Sequence, residues 1–265
     1  MTATTLNLAY LLDHQAKLTP AREAVVTGQV RMTYAQLNGM ASQVAGGLRK
    51  LGLQPGDHVA LSCPNLPYFP IAYYGILKMG GVVSTLNVLL KPREIAFHLK
   101  ECNAKALVVF EGTAELPMAQ MAREATNEVD HCKHFVVMTA NPAAPSPIEG
   151  AMTFGQLMHG QPPVFDTHPS SPNDTAVLLF TSGTTGQPKC AELTHFNMTM
   201  NAIASRDMYS PVLNVGPDAT NRYLVTLPLF HSTGQTAQMN AGFTELISSS
   251  TSRSSRGFGV RDRGL

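Results

Sequence analysis

The sequence predicts an open α/β fold, a mostly parallel sheet flanked by helices. Short apolar runs of strand length recur along the chain, as at Val59 to Ser62, Ala106 to Phe110 and Thr175 to Phe180. Between them lie longer stretches whose apolar residues repeat at helical spacing. Charged residues make up only 14% of the chain and apolar residues 44%, so much of it must be buried. Strands that alternate with helices read as right-handed crossover units, which align neighbouring strands in one direction.

The elements follow in order. Asn7 is placed to cap a first helix in which Leu8, Leu11 and Leu12 share a face. Ala24 to Val26 and Val30 to Met32, joined across Thr27-Gly28-Gln29, form a hairpin. Thr33 caps a helix carrying Leu37, Met40, Ala41, Val44, Leu48 and Leu51 at helical spacing, and Gly52 ends it. After the Pro55-Gly56-Asp57 turn comes the strand Val59 to Ser62. A helix over Leu66 to Met79, a strand over Val82 to Leu86, a helix from Pro92 to about Cys102 and the strand Ala106 to Phe110 continue the rhythm. Pro117 to Ala125 reads as a helix and Phe135 to Met138 as a strand. Proline-rich stretches at Asn141 to Pro147 and Gln161 to Asn173 are connectors, the second leading into the strand Thr175 to Phe180. Thr194 caps a helix running to about Met208, and Arg222 to Leu227 is the last strand.

Composition narrows the function. The 265 residues suffice for one large or two small domains with a substantial core. A net charge of +1 gives no reason to expect a nucleic-acid partner. The amino terminus lacks the basic flank and apolar core of a secretory signal. The apolar stretch Ile71 to Leu90 is interrupted by Lys78, Gly80, Gly81 and Asn87, so no transmembrane segment is expected and the cytoplasm is the default location. Lys78 reads as a side chain snorkelling from a helix end. Cys63, Cys102, Cys132 and Cys190 show neither CxxC pairing nor metal-ligand spacing and read mostly as buried thiols. His131 and His134 bracket Cys132 without a second ligand cluster, so no metal site is assigned there.

Chemistry concentrates where the strand Thr175 to Phe180 meets a hydroxyl-rich glycine loop that ends in Lys189. Such a loop can turn backbone N–H groups and the Ser182, Thr184 and Thr185 hydroxyls inward, while Gly183 and Gly186 allow an anion to approach closely. Lys189 adds the compact positive charge that polyphosphate requires. The loop departs from the common P-loop, because Gln187 and Pro188 stand between the last glycine and the lysine, and Cys190 follows it. Pro188 has no N–H to offer, so the loop does not pass directly into a phosphate-cradling helix. In open α/β sheets ligands sit beyond the carboxyl ends of the strands, so Thr181 and the Pro228-Leu-Phe-His231 segment are expected to share one cleft.

Thr181-Ser-Gly-Thr-Thr-Gly-Gln-Pro-Lys189, followed by Leu193-Thr194-His195, resembles the signature of the AMP-forming acyl-CoA synthetases. These belong to the adenylate-forming superfamily, with firefly luciferase and peptide-synthetase adenylation domains. Met32-Thr-Tyr-Ala-Gln-Leu37, Gly75-Ile-Leu-Lys-Met-Gly-Gly81, Asn87 to Ile95 with Phe97-His-Leu-Lys100, and Leu227-Pro-Leu-Phe-His-Ser-Thr-Gly234 resemble its other segments in the same order. The stretch from Asn87 to Lys100 is closer to fatty-acid and aryl-acid CoA ligases than to amino-acid-activating domains.

The resemblance implies the N-terminal part of the adenylate-forming enzyme large domain, incomplete. It implies a carboxylic acid, ATP, Mg2+ and coenzyme A as reaction partners. Thr181, Ser182, Gly183, Thr184, Thr185, Gly186 and Lys189 would hold the polyphosphate, with Lys189 and His231 as catalytic groups and Phe230 and His231 beside the acid. The likeness is read over about residues 8–241, within a partial domain of residues 1–241, and the Ser/Arg/Gly-rich stretch 242–265 is expected to be a non-homologous, disordered tail. Gly242-Phe-Thr-Glu245 imitates the family's magnesium-binding element but stands too near the Phe-His segment, and is read as coincidence. No lysine occurs beyond Lys189, so the family's lid lysine, along with its adenine segment, is not found in this chain. A truncated ligase inactive by itself is therefore expected, with a catalytically dead binding or regulatory fragment of the same fold as the alternative. Neither the acid's identity nor an oligomeric state is read from the sequence.

Overall fold

A computed structural model describes residues 4–181, 188–209 and 221–244. Its centre is a seven-stranded sheet of order β7-β6-β5-β3-β4-β8-β9. The strands are β3 (His58–Ser62), β4 (Val82–Thr85), β5 (Ala106–Phe110), β6 (His134–Met138), β7 (Met152–Thr153), β8 (Thr175–Thr181) and β9 (Lys189–Thr194). Every pairing is parallel except β8 with β9. A separate antiparallel hairpin joins β1 (Glu23–Thr27) to β2 (Val30–Thr33).

Both faces of the sheet are covered, and the strand side chains divide between two cores. Val59 and Leu61 of β3, Ala106 and Val108 of β5, and Val136 and Met138 of β6 enter one core. There they meet α1 (Tyr10–Leu18), α2 (Tyr34–Lys50), α3 (Tyr68–Lys78) and α6 (Phe154–Met158). The alternate residues Ala60, Leu107, Val109, Phe135 and Val137 enter the other, against α4 (Pro92–Glu101) and α5 (Met118–Thr126). This two-sided alternation is why the strands read as continuous apolar runs. Helices α2 and α3 lie so close that a Cβ on Gly75 would stand 2.6 Å from Val44, so the crossing depends on that glycine.

Local signals explain the helix starts. Thr33 caps α2 reciprocally with Gln36, and Thr153 does the same for α6 with Gln156. Thr194 exchanges bonds of 3.1 Å with Asn197 at the start of α7 (His195–Tyr209). Asn7 plays a different part from the expected cap. Helix α1 begins later, at Tyr10, while the Asn7 carbonyl side chain accepts from the Ala9 N–H and its amide donates to the Leu77 and His168 carbonyls. Asn7 thus ties the entering chain to the end of α3 and to the connector.

The structure corrects two further expectations, at Lys78 and at Arg222 to Leu227, and adds a strand. Lys78 is 1% exposed and does not snorkel; its ammonium is paired with Asp13 and bonded to Thr167, so a buried charge is balanced where α1 meets α3. Residues 189–194 form a strand, β9, before α7, because a reversed neighbour satisfies the free edge of β8. Arg222 to Leu227 joins neither sheet. Its Thr226 and Leu227 N–H groups donate to Gln238 Oε1 at 3.1 and 3.0 Å, a side chain standing where a ladder partner would be. Among the described residues no helix is long and apolar enough to cross a membrane.

Gly242, Phe243 and Thr244 are described, and Phe243 packs into the larger core against Tyr34 and Tyr74. The remaining residues of the expected tail, Glu245 among them, lie outside the described residues.

Candidate active site

A cleft of about 570 Å3 opens at the carboxyl ends of β4 and β8. Thr85 ends β4 and Asn87 follows it; Phe180, Thr181 and Pro188 bracket the glycine loop; Phe230 and His231 close the far side. The strand-end arrangement thus brings together the two motifs that sequence reasoning assigned to one cleft. Ser182, Gly183, Thr184, Thr185 and Gly186 lie outside the described residues, as does Gln187. The ends of that segment are held nonetheless. Thr181 is registered opposite Lys189 in the β8–β9 ladder, and its hydroxyl lies 3.4 Å from the Lys189 carbonyl. The loop therefore leaves and re-enters adjacent strands, and Lys189 begins an edge strand, exposed, next to the cleft and not in its wall.

The Phe230–His231 turn is anchored from the sheet side. Asn65, just beyond β3, donates to the Leu227 carbonyl and accepts from the Leu229 N–H, both at 2.9 Å. His231 N–H donates to the Pro228 carbonyl at 3.1 Å, and the His231 carbonyl accepts from Gln235 at the same distance. Downstream runs a π-helix, Gly234–Asn240, a rare form that clusters at functional sites. The rings of Phe230 and His231 stand 4.7 Å apart, tilted by 51°, and His231 is exposed toward the opening.

The third wall was not assigned to the site from sequence. Helix α4 contributes Arg93, Glu94, Phe97 and His98. Their only signal was the resemblance of Asn87 to Lys100 to CoA ligases, which marks a family and not a role. His98 is 6% exposed, and its ring lies edge-on 4.1 Å from Phe180, one residue before Thr181. Its Nδ1 stands 2.6 Å from the Glu94 carbonyl, which can only accept, so Nδ1 carries the proton. Burial lowers its pKa from the ordinary histidine value, outweighing the carbonyl and Glu94, and keeps the ring neutral near pH 7. This side of the cleft thus combines the aromatic rings of Phe97, His98 and Phe180 with one residue of each charge, Arg93 and Glu94.

The thiols offer no nucleophile here. Burial raises Cys190 to about 11 and Cys132 to about 12, well above the range in which a thiolate forms. Among the described residues no group of three His, Cys, Asp or Glu able to hold a metal occurs, and no step is routed through a metal.

A mostly parallel sheet covered on both faces, with its loops converging on a cleft at the strand ends, defines an α/β ligand-binding domain. Residues 12–249 match the AMP-binding enzyme family, and the chain belongs to it. It is 31% identical over 241 residues to a long-chain-fatty-acid–CoA ligase of Salmonella typhimurium, covering 85% of this chain and 42% of that protein. It is 30% identical over 233 residues to a 2-succinylbenzoate–CoA ligase of Bacillus licheniformis, covering 86% of this chain and 42% of the relative. Among solved structures, apo MbtA of Mycobacterium smegmatis superposes with a TM-score of 0.76 at 27% identity, over 90% of this chain and 42% of that one. An anthranilate CoA ligase, AuaEII, in complex with anthranoyl-AMP has the same fold, with a TM-score of 0.79 at 24% identity over 91% of this chain and 44% of that one. The chain therefore spans about two fifths of the length of the relatives it matches.

Proposed function

We propose that this chain carries the polyphosphate loop and part of the acid site of an AMP-forming acid–CoA ligase, with a fatty acid as its substrate. One observation carries the reading: the cleft joins the two ends of the glycine loop, Thr181 and Pro188, to Phe230 and His231. The relatives that act on long-chain fatty acids support the choice of acid, as do Leu90, Phe97, Phe180 and Phe230 in the lining. Each buried methylene would add about 0.8 kcal/mol. A cytoplasmic location fits a ligase that consumes ATP and coenzyme A.

In such a reaction a carboxylate oxygen attacks the α-phosphorus of ATP, the bond to pyrophosphate breaks, and an acyl-adenylate forms. The coenzyme A thiol then attacks the acyl carbon, gives up its proton and releases AMP. The first step brings two anions together, so positive charge and N–H dipoles held in place are the main requirement. We assign Thr181, Ser182, Gly183, Thr184, Thr185, Gly186 and Lys189 to the β- and γ-phosphates, with Lys189 drawing charge toward the departing pyrophosphate. Phe230 packs on the acid and His231 stands beside its carboxylate.

A second reading is a fragment of the same fold that binds without turnover. On that reading we expect this chain to bind both ligands and to catalyse no acid-dependent pyrophosphate exchange. Calorimetric titration tests the assignment. Lys189→Ala should weaken pyrophosphate about tenfold and leave decanoate unchanged, whereas His231→Ala should do the reverse. Equal effects of both variants on both ligands would contradict the separate roles, and measurable exchange would contradict the second reading.

A further inference from the structure

The Phe230–His231 turn is tied to the sheet by a relay through two buried side chains. Thr85, the last residue of β4, donates its hydroxyl proton to the Phe230 carbonyl at 3.1 Å. Gln235, fully buried in the π-helix, donates from Nε2 to the same hydroxyl oxygen at 3.2 Å. Chemistry dictates this polarity. A carbonyl oxygen only accepts, so the single Thr85 proton goes to Phe230, and only the NH2 end of Gln235 can meet the remaining lone pair.

Gln235 Oε1 is thereby left buried without a partner among the described residues. An orphaned acceptor is unfavourable, and the bond from Nε2 to Thr85 together with the surrounding packing keeps Gln235 in this orientation. Gly234 makes the approach of the π-helix possible, since a Cβ there would lie 2.3 Å from the Pro228 carbonyl oxygen. The relay thus runs from the π-helix through the end of β4 to the carbonyl that precedes His231.

We infer that Thr85 and Gln235 are positioning residues that set where the Phe230 ring and His231 imidazole stand in the cleft. The inference rests on the acid-site reading for its consequence in binding, although the relay is readable without it. Neither side chain is assigned a contact with the reacting atoms.

Hydrogen exchange read by mass spectrometry on the full chain tests this. Thr85→Val, which keeps shape and loses the hydroxyl, should speed exchange in residues 228–236 about tenfold and leave residues 118–126 of α5 unchanged. Gln235→Met should act in the same direction, and Thr85→Ser should restore wild-type exchange. Added decanoate should slow exchange of 228–236 in the wild type and in Thr85→Ser, but not in Thr85→Val. Unchanged exchange in Thr85→Val, equal acceleration at 118–126, or failure of Thr85→Ser to restore protection would each overturn the inference. A wild-type chain indifferent to decanoate whose Thr85→Val form still loosens 228–236 would remove the acid-site reading and leave the relay standing.

Discussion

His195 shows how much a single buried side chain decides. Its Nδ1 accepts from the Leu8 N–H at 3.0 Å, joining the entering chain to the start of α7, and it is 1% exposed. Burial, reinforced by His168 and opposed by Asp174, lowers its pKa to about 4 from the usual 6.5. Between those values the unfolded chain takes up a proton that the folded chain refuses. The stability associated with neutral His195 is therefore complete above pH 6.5 and is lost as pH falls toward 4. The loss should be on the order of 3 kcal/mol. Urea midpoints from pH 7 to pH 4 should fall accordingly, and more steeply for the wild type than for His195→Phe; parallel slopes would contradict the assignment. The same residue marks a limit of sequence reading. His195 belonged to a recognisable signature, yet its bond to Leu8 joins residues far apart in the chain, which spacing does not encode. Lys78 was misread for the same reason, because its partner Asp13 comes from another helix.

Elements whose signals are local were legible: the hairpin, the capping residues Thr33 and Thr194, and each apolar strand from β3 to β6. Those that depend on a neighbour were not. Strand β9 follows the glycine loop with only Cys190, Ala191 and Leu193 as apolar residues, and it exists as the antiparallel partner of β8. The short β7 and α6 were hidden between two proline-rich connectors. Conversely, 222–227 has a strand-like sequence, and its burial alternates as a strand's would, but it joins neither sheet. Leu224 is 79% exposed as a result, at the mouth of a groove of about 380 Å3 shared with β1. An exposed apolar side chain beside an apolar groove favours association between copies. The chain should self-associate at micromolar to millimolar concentrations, and Leu224→Lys combined with Leu227→Lys should shift it toward monomer in sedimentation velocity. A wild-type chain that stays monomeric throughout would count against this.

For the whole molecule, the parallel order of strands turns scattered motifs into one site. Thr85, Thr181 and His231 are far apart in the chain, and they meet because β4 and β8 are neighbours whose carboxyl ends point the same way. Sequence alone placed Thr181 and His231 there through that general property of α/β sheets. It did not place Arg93, Phe97 or His98, because α4 reaches the cleft only by packing on the opposite face of the sheet from α3. The central claim is that the loop entered at Thr181 and left at Lys189 grips polyphosphate. Hydrogen exchange of residues 175–194, with and without pyrophosphate, addresses it most directly. Slowed exchange in the wild type that vanishes in Lys189→Ala is the predicted result, and exchange that ignores pyrophosphate, or responds equally in Lys189→Ala, would contradict it.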